Sequence, residues 1–375
     1  MRPLDGIKVI DLSTLLPGPF ATLILAEAGA EVIKIERIGG EDMRRSPPFI
    51  DGESILFAIL NRGKRSIELD IKSKNGFSAI VNLIKTADIV IDQFRPGVME
   101  RLGLDFESLI KIKPNIIHCS ITGYGQNGPK KLVAAHDLNY MAESGLLSLA
   151  KEKDGSPAMP NTQIADIAGW SYPAVINILL ALREVEKTGK GKFLDISMTD
   201  NLFPFMWMAL GLTANKFYSK GGDLQLTGGS PRYGIYETLD KGYMALGALE
   251  EKFWLRFCEV IKLPNKFIND SINPNATKEA IIEIVKNKNT KEWKEILVNE
   301  ENICCSIVNS LEEAMQDSQI IERQLLTAKM KLGDEEIFPM PTPLAPIWRP
   351  KEILENAPKL GEANSLYMEK PWKIK

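Results

Sequence analysis

The sequence predicts an α/β protein: a large domain built on a mostly parallel sheet, followed by a smaller α+β domain. Two observations carry this expectation. Through the first 120 residues, short apolar strands alternate with longer amphipathic stretches, the pattern of βαβ units. Around Lys220–Ser230 the composition turns to KGGDLQLTGGS, a glycine-rich stretch suited to a domain crossing. A length of 375 residues accommodates two domains. The expected boundaries are residues 1–220 for the large domain and 221–330 for the small one. Residues 331–375, with the proline-rich run FPMPTPLAPIWRP, are expected to return to the large domain.

Taken in order, Ile7–Asp11 (IKVID) reads as a strand, and Pro19–Ala28 as a helix with proline in its first turn and Gly29 ending it. Glu31–Glu36 (EVIKIE), Ser66–Asp70, Asp88–Ile91 and Asn115–Ile121 continue the strand series. Helices are expected near Ser73–Thr86 and Asp105–Lys111. Ile164–Glu186 is an apolar helix carrying Pro173, Phe193–Met198 a further strand, and Asn201–Ala214 a largely apolar helix. Gly234–Leu249 alternates like a hairpin around Asp240-Lys241-Gly242, and Glu250–Lys262 is an amphipathic helix. Shorter helical patches fill residues 277–326.

Composition excludes several function classes. A net charge of −3 provides no polycation for nucleic acid. No apolar run is expected to reach the ~20 residues of a membrane span, and the chain opens into a strand pattern rather than a signal segment. A cytoplasmic protein is therefore expected, with neither nucleic acid nor membrane as partner. Cys119, Cys258, Cys304 and Cys305 form no CxxC pair, and with two histidines no zinc spacing arises. The first strand-to-helix turn, Leu12–Pro19, lacks G-x-G-x-x-G, so no nicotinamide or flavin cofactor is expected.

Candidate chemistry concentrates in Gly128–Asp166, which holds His136 and ends on Asp166 as an apolar run begins. An imidazole and a carboxylate make an acid–base pair near neutral pH. Asp166 also suits a helix cap. His118, inside the strand NIIHCSI, reads as a packed histidine and is assigned no role. Basic residues gather at strand ends: Arg37, then Arg62, Lys64 and Arg65, then Arg95 and Arg101. Their recurrence predicts an anionic, phosphate-bearing ligand.

Several segments, in order, resemble the class III CoA-transferase and α-methylacyl-CoA racemase family. They are Pro17-Gly18-Pro19, VIKIER at 32–37, FRPGVMERLG at 94–103, SITGYGQNGP at 120–129, AHDLNYMAESG at 135–145, TGKGKFLDISMTDNLF at 188–203 and GYMALGALEEKF at 242–253. The resemblance implies a Rossmann-like large domain, a small domain and a homodimer of interlocked rings. It also implies an acyl-CoA thioester ligand, with no cofactor beyond its CoA moiety and no metal. It assigns Arg37, Lys64, Arg95 and Arg101 to CoA, with Phe94 against adenine. Transferases of the family use the aspartate matching Asp166 as a nucleophile; racemases pair it with a histidine and a glutamate, here His136 and Glu250. Asp137, beside His136, is a competitor for Glu250's orienting role. At Glu251-Lys252 the sequence departs from the Pro-Gln that racemases commonly carry. The implied function is an acyl-CoA racemase or epimerase acting on an α-carbon with a methyl branch. A CoA-transferase using Asp166 as nucleophile and a catalytically silent acyl-CoA-binding subunit are the alternatives.

Overall fold

A computed structural model describes residues 2–152, 154–217, 224–349 and 355–369. The glycine-rich crossing at 220–230 falls partly outside the described residues. The chain divides into two compact units. One comprises the residues up to Leu146, Met159–Met206, and the chain from Ser318 onward; the other comprises Leu147–Ala158 and Trp207–Asp317.

The first unit is the predicted α/β domain. Its sheet has six strands in the spatial order Arg65–Glu68, Glu31–Glu36, Lys8–Leu12, Ile89–Asp92, Ile117–Thr122, Lys192–Ser197. Every ladder is parallel. Strands such as IVID and IHCSIT are buried along their whole length because helices cover both faces, which is why they read as continuous apolar runs. On one face Ile10, Ile33, Ile67 and Val90 pack against Ile80, Leu83 and Ile84 of the helix Lys74–Ile84. On the other, Phe20, Leu23 and Ile24 of the helix Pro17–Glu27 meet Leu60, with Met340 and Leu344 from the proline-rich segment. The edge strand Arg65–Glu68 is met by the chain's last described residues: Ala363 N–H donates to Ser66 O (3.0 Å) and Glu68 N–H to Asn364 Oδ1 (2.9 Å).

The second unit has its own core. An antiparallel sheet orders Cys305–Ile307, Tyr243–Gly247 and Tyr233–Glu237. It packs Tyr236, Met244 and Leu246 with Trp254, Phe257 and Trp293 of its helices.

Two expectations need correction. The single helix over Asn201–Ala214 is broken: Met198–Leu202 is α-helical, Phe203–Met206 tightens to a 3-10 turn, and helix resumes at Trp207–Ala214. Pro204 supplies no N–H to an α-helical ladder, which accounts for the break. The apolar helix is longer than expected, running Ile164–Thr188, and by length and composition alone it is long enough to cross a membrane. Of its most apolar stretch, 44% is buried within the chain.

Candidate active site

The strands Lys8–Leu12 and Ile89–Asp92 pair where the strand order reverses. Ligands of open parallel sheets sit beyond the carboxyl ends of such strands. A cavity of about 380 Å³ is walled by the loops that follow them: Leu15 and Pro17 after the first, Gln93–Pro96 after the second. Val133, His136, Tyr140, Asp166, Trp170 and Met198 complete much of the lining. The structure thus brings His136 and Asp166, separated by thirty residues of sequence, to one cavity.

Gly18 permits the close approach of the two loops. A Cβ at this position would lie 2.2 Å from Ser13 Cβ and 2.9 Å from Gln93 Oε1, so no other residue fits without displacement.

His136 immediately precedes the helix Asp137–Ser144. Its backbone N–H donates to Asn139 Oδ1 at 3.0 Å, and its side chain is exposed. Tyr140 Oη donates to Ala135 O at 2.8 Å, securing the turn that presents the imidazole. Asp137 is engaged elsewhere than on His136: its Oδ1 accepts the backbone N–H of Asp166 at 3.0 Å.

Asp166 ends one helical turn, Ile164–Asp166, after which the helix widens to π form over Ile167–Ser171 and resumes as α-helix at Tyr172. Ser171 Oγ lies 2.7 Å from Pro17 O and 3.0 Å from Asp166 O, so the hydroxyl occupies the widened turn and ties it to the first loop. Single π turns recur at functional sites because they re-aim a side chain without ending a helix. Burial, and after it the negative charge of Asp137, pushes the Asp166 carboxyl up to about 7. The Asp137 carboxyl is itself raised by burial, against the amide bond it accepts. A carboxyl brought near neutrality can both take and return a proton at physiological pH.

Glu250 belongs to the second unit, where it caps the helix Glu251–Val260 with its side chain exposed. Its neighbour Glu251 is paired with Arg232 at 2.7 Å.

The candidate CoA residues divide. Phe94 lines the His136–Asp166 cavity and two neighbouring ones of about 650 and 700 Å³, so it stands where the three meet. Arg95 lines the first two, and Arg37 the third. Arg37 is exposed and paired with Asp42 at 2.5 Å. Arg101 is exposed on the short helix Val98–Leu102 and borders none of these three cavities. Lys64 does not serve as a phosphate ligand. It is buried, with its ammonium 2.9 Å from Pro19 O, 2.8 Å from Asn61 Oδ1 and 3.3 Å from Asp11 Oδ2. Position at a strand end suggested a surface cation; the buried carboxylate of Asp11 requires it inside instead. Burial alone would raise the Asp11 carboxyl, but Lys34 and Lys64 hold it down at about 2.

His118 is also buried, and its Nε2 meets Asp92 Oδ2 at 2.8 Å. Among the described residues no cluster of three or more His, Cys, Asp or Glu side chains is placed to hold a metal ion.

A family model described as CoA-transferase family III matches residues 4–364. The alpha-methylacyl-CoA racemase of Homo sapiens is 32% identical over 351 residues, covering 91% of this chain and 86% of that protein. The succinate–glutarate CoA-transferase of Agrobacterium fabrum is 33% identical over 380 residues, covering 96% of this chain and 93% of that protein. A crystal structure of Rv3272 from Mycobacterium tuberculosis matches with a TM-score of 0.85 at 26% identity, over 98% of this chain and 99% of that one. One of a CAIB/BAIF family protein from Brucella suis gives 0.83 at 26% identity, over 99% and 100%. Racemases and CoA-transferases stand at similar distance from the sequence. The chain belongs to CoA-transferase family III, and its relatives include both kinds of enzyme.

Proposed function

We propose that the protein is an acyl-CoA racemase or epimerase that inverts the α-carbon of a 2-methyl-branched acyl-CoA by proton transfer through an enolate. The observation that carries the reading is the meeting of His136 with an Asp166 carboxyl poised near neutrality on one cavity. The thioester carbonyl acidifies the α-C–H bond. One of the two groups removes that proton, the electron pair moves onto the carbonyl oxygen as an enolate, and the other group delivers a proton to the opposite face. Which acts as base depends on the handedness of the substrate. The developing oxyanion calls for hydrogen-bond donors at the carbonyl oxygen. Glu250 is assigned the role of orienting His136. Arg37, Phe94, Arg95 and Arg101 are assigned to the CoA moiety, whose phosphates suit guanidinium partners. The proposal includes a cytoplasmic homodimer. Ile176 and Leu180 on the long helix are 56% and 64% exposed, apolar surface that a second subunit would cover. Light scattering that returned a monomer would remove this part.

The second reading is CoA transfer, favoured by the similar identity to transferases. There the Asp166 carboxylate attacks the thioester carbonyl, expels the CoA thiolate and forms an acyl anhydride. One experiment separates the two: incubation of an optically pure 2-methylacyl-CoA in deuterated water with no acceptor acid. Deuterium at the α-carbon with loss of optical purity supports racemisation. No exchange, with CoA passing to an added carboxylic acid, overturns it.

A further inference from the structure

Beneath the loop that follows the first strand lies a set of buried charges. Lys34, in the middle of the second strand, is fully buried with its ammonium 2.8 Å from Ser13 O and 2.8 Å from Glu41 Oε1. The other carboxylate oxygen of Glu41, Oε2, accepts the backbone N–H of Leu15 at 2.7 Å. Leu15 adopts φ of 62°, the left-handed region that a branched side chain disfavours. Such a residue persists where its surroundings over-determine it, and here the Leu15 amide itself is held by the Glu41–Lys34 pair, with Ser171 Oγ on Pro17 O holding the loop two residues on. Leu15 and, two residues on, Pro17 wall the cavity that holds His136 and Asp166.

We propose that Glu41 is a positioning residue: seated on Lys34, it holds Leu15 in the left-handed conformation and so sets the wall of the catalytic cavity. The chemistry demands a carboxylate. Two donors, the Lys34 ammonium and the Leu15 amide, approach its two oxygens, and an isosteric amide would turn its NH₂ toward one of them. The proposal rests on the reading that this cavity is where turnover occurs, whichever of the two chemistries it performs.

A double-mutant cycle of Glu41→Gln and Leu15→Gly tests it, because glycine enters the left-handed region without penalty. Glu41→Gln is expected to lower kcat about tenfold with KM little changed, and to speed hydrogen–deuterium exchange at the Leu15 amide. In the Leu15→Gly background the same substitution is expected to cost less than about threefold. An equal loss in both backgrounds, or an unchanged kcat, overturns the proposal and leaves Glu41 a structural partner of Lys34. Should Lys34 left unpaired prevent folding, Lys34→Met combined with Glu41→Gln or with Glu41→Leu leaves no buried charge alone. The glutamine version retains an acceptor for the Leu15 amide and is expected to turn over about tenfold faster; equality of the two refutes the proposal. If the wild-type protein performs neither exchange nor transfer, the function reading fails, and Leu15 amide exchange still decides the role of Glu41.

Discussion

Replacing Asp166 with asparagine should stabilise the protein, and the gain should grow as pH rises towards 7 and hold above it. In the unfolded chain the carboxyl ionises near its ordinary value of 3.8; in the folded protein it holds its proton to about 7. Between these values the native state binds the proton and the unfolded state does not, so stability falls as pH rises and is lowest above pH 7. At about 1.36 kcal/mol per pH unit, the withheld stability reaches about 4 kcal/mol at pH 8.5 and about 1 kcal/mol at pH 4.5. Asparagine keeps the shape and never ionises, so Asp166→Asn should recover up to about 4 kcal/mol at pH 8.5 and about 1 at pH 4.5. Urea unfolding of both proteins at the two pH values reads the difference directly. An equal gain at both, or none at pH 8.5, would show that the carboxyl is not held near neutrality, and the acid–base argument would lose its footing. Activity should be abolished in the same variant under either reading of the chemistry.

Three further outcomes follow from the geometry. His136→Ala should stop α-proton exchange yet leave any CoA transfer largely intact; undiminished exchange would remove the imidazole from the mechanism. Asp137→Asn retains an oxygen to accept the Asp166 amide but removes the charge that helps raise Asp166. The inflection in kcat/KM assigned to Asp166 should therefore move to lower pH, and a fixed inflection would argue against that coupling. Gly18→Ala inserts a methyl group 2.2 Å from Ser13 Cβ. Thermal melts should show a loss of about 1–3 kcal/mol, with reduced turnover because the displaced loops wall the cavity, whereas a neutral result would mean that the loops separate freely.

The parallel sheet was legible because its inner strands are buried on both faces, which makes them largely apolar; Glu31–Glu36 was read to the residue. The helix Ile55–Asn61 escaped because it is seven residues long and nearly all apolar, with no polar face to mark a period. The short strand Cys305–Ile307 escaped likewise, since three residues cannot display alternation. At the site, the scarcity of histidine singles out His136, but nothing local marks the π turn after Asp166, where the Ser171 hydroxyl bridges to Pro17 O across 154 positions of sequence. The same limit explains Lys64. Whether a lysine at a strand end faces water or a buried aspartate is decided by tertiary neighbours, and Asp11 lies 53 residues away in sequence.

The last described residues, bound along Arg65–Glu68, have a bearing on biosynthesis. Until residues near 364 leave the ribosome, that strand offers unpaired amides and carbonyls to any neighbouring nascent chain. Products cut short before this point would retain most of the apolar core yet carry an open sheet margin. They are the species on which chaperone holding or edge-to-edge aggregation should fall, and a trailing peptide supplied in trans should suppress it.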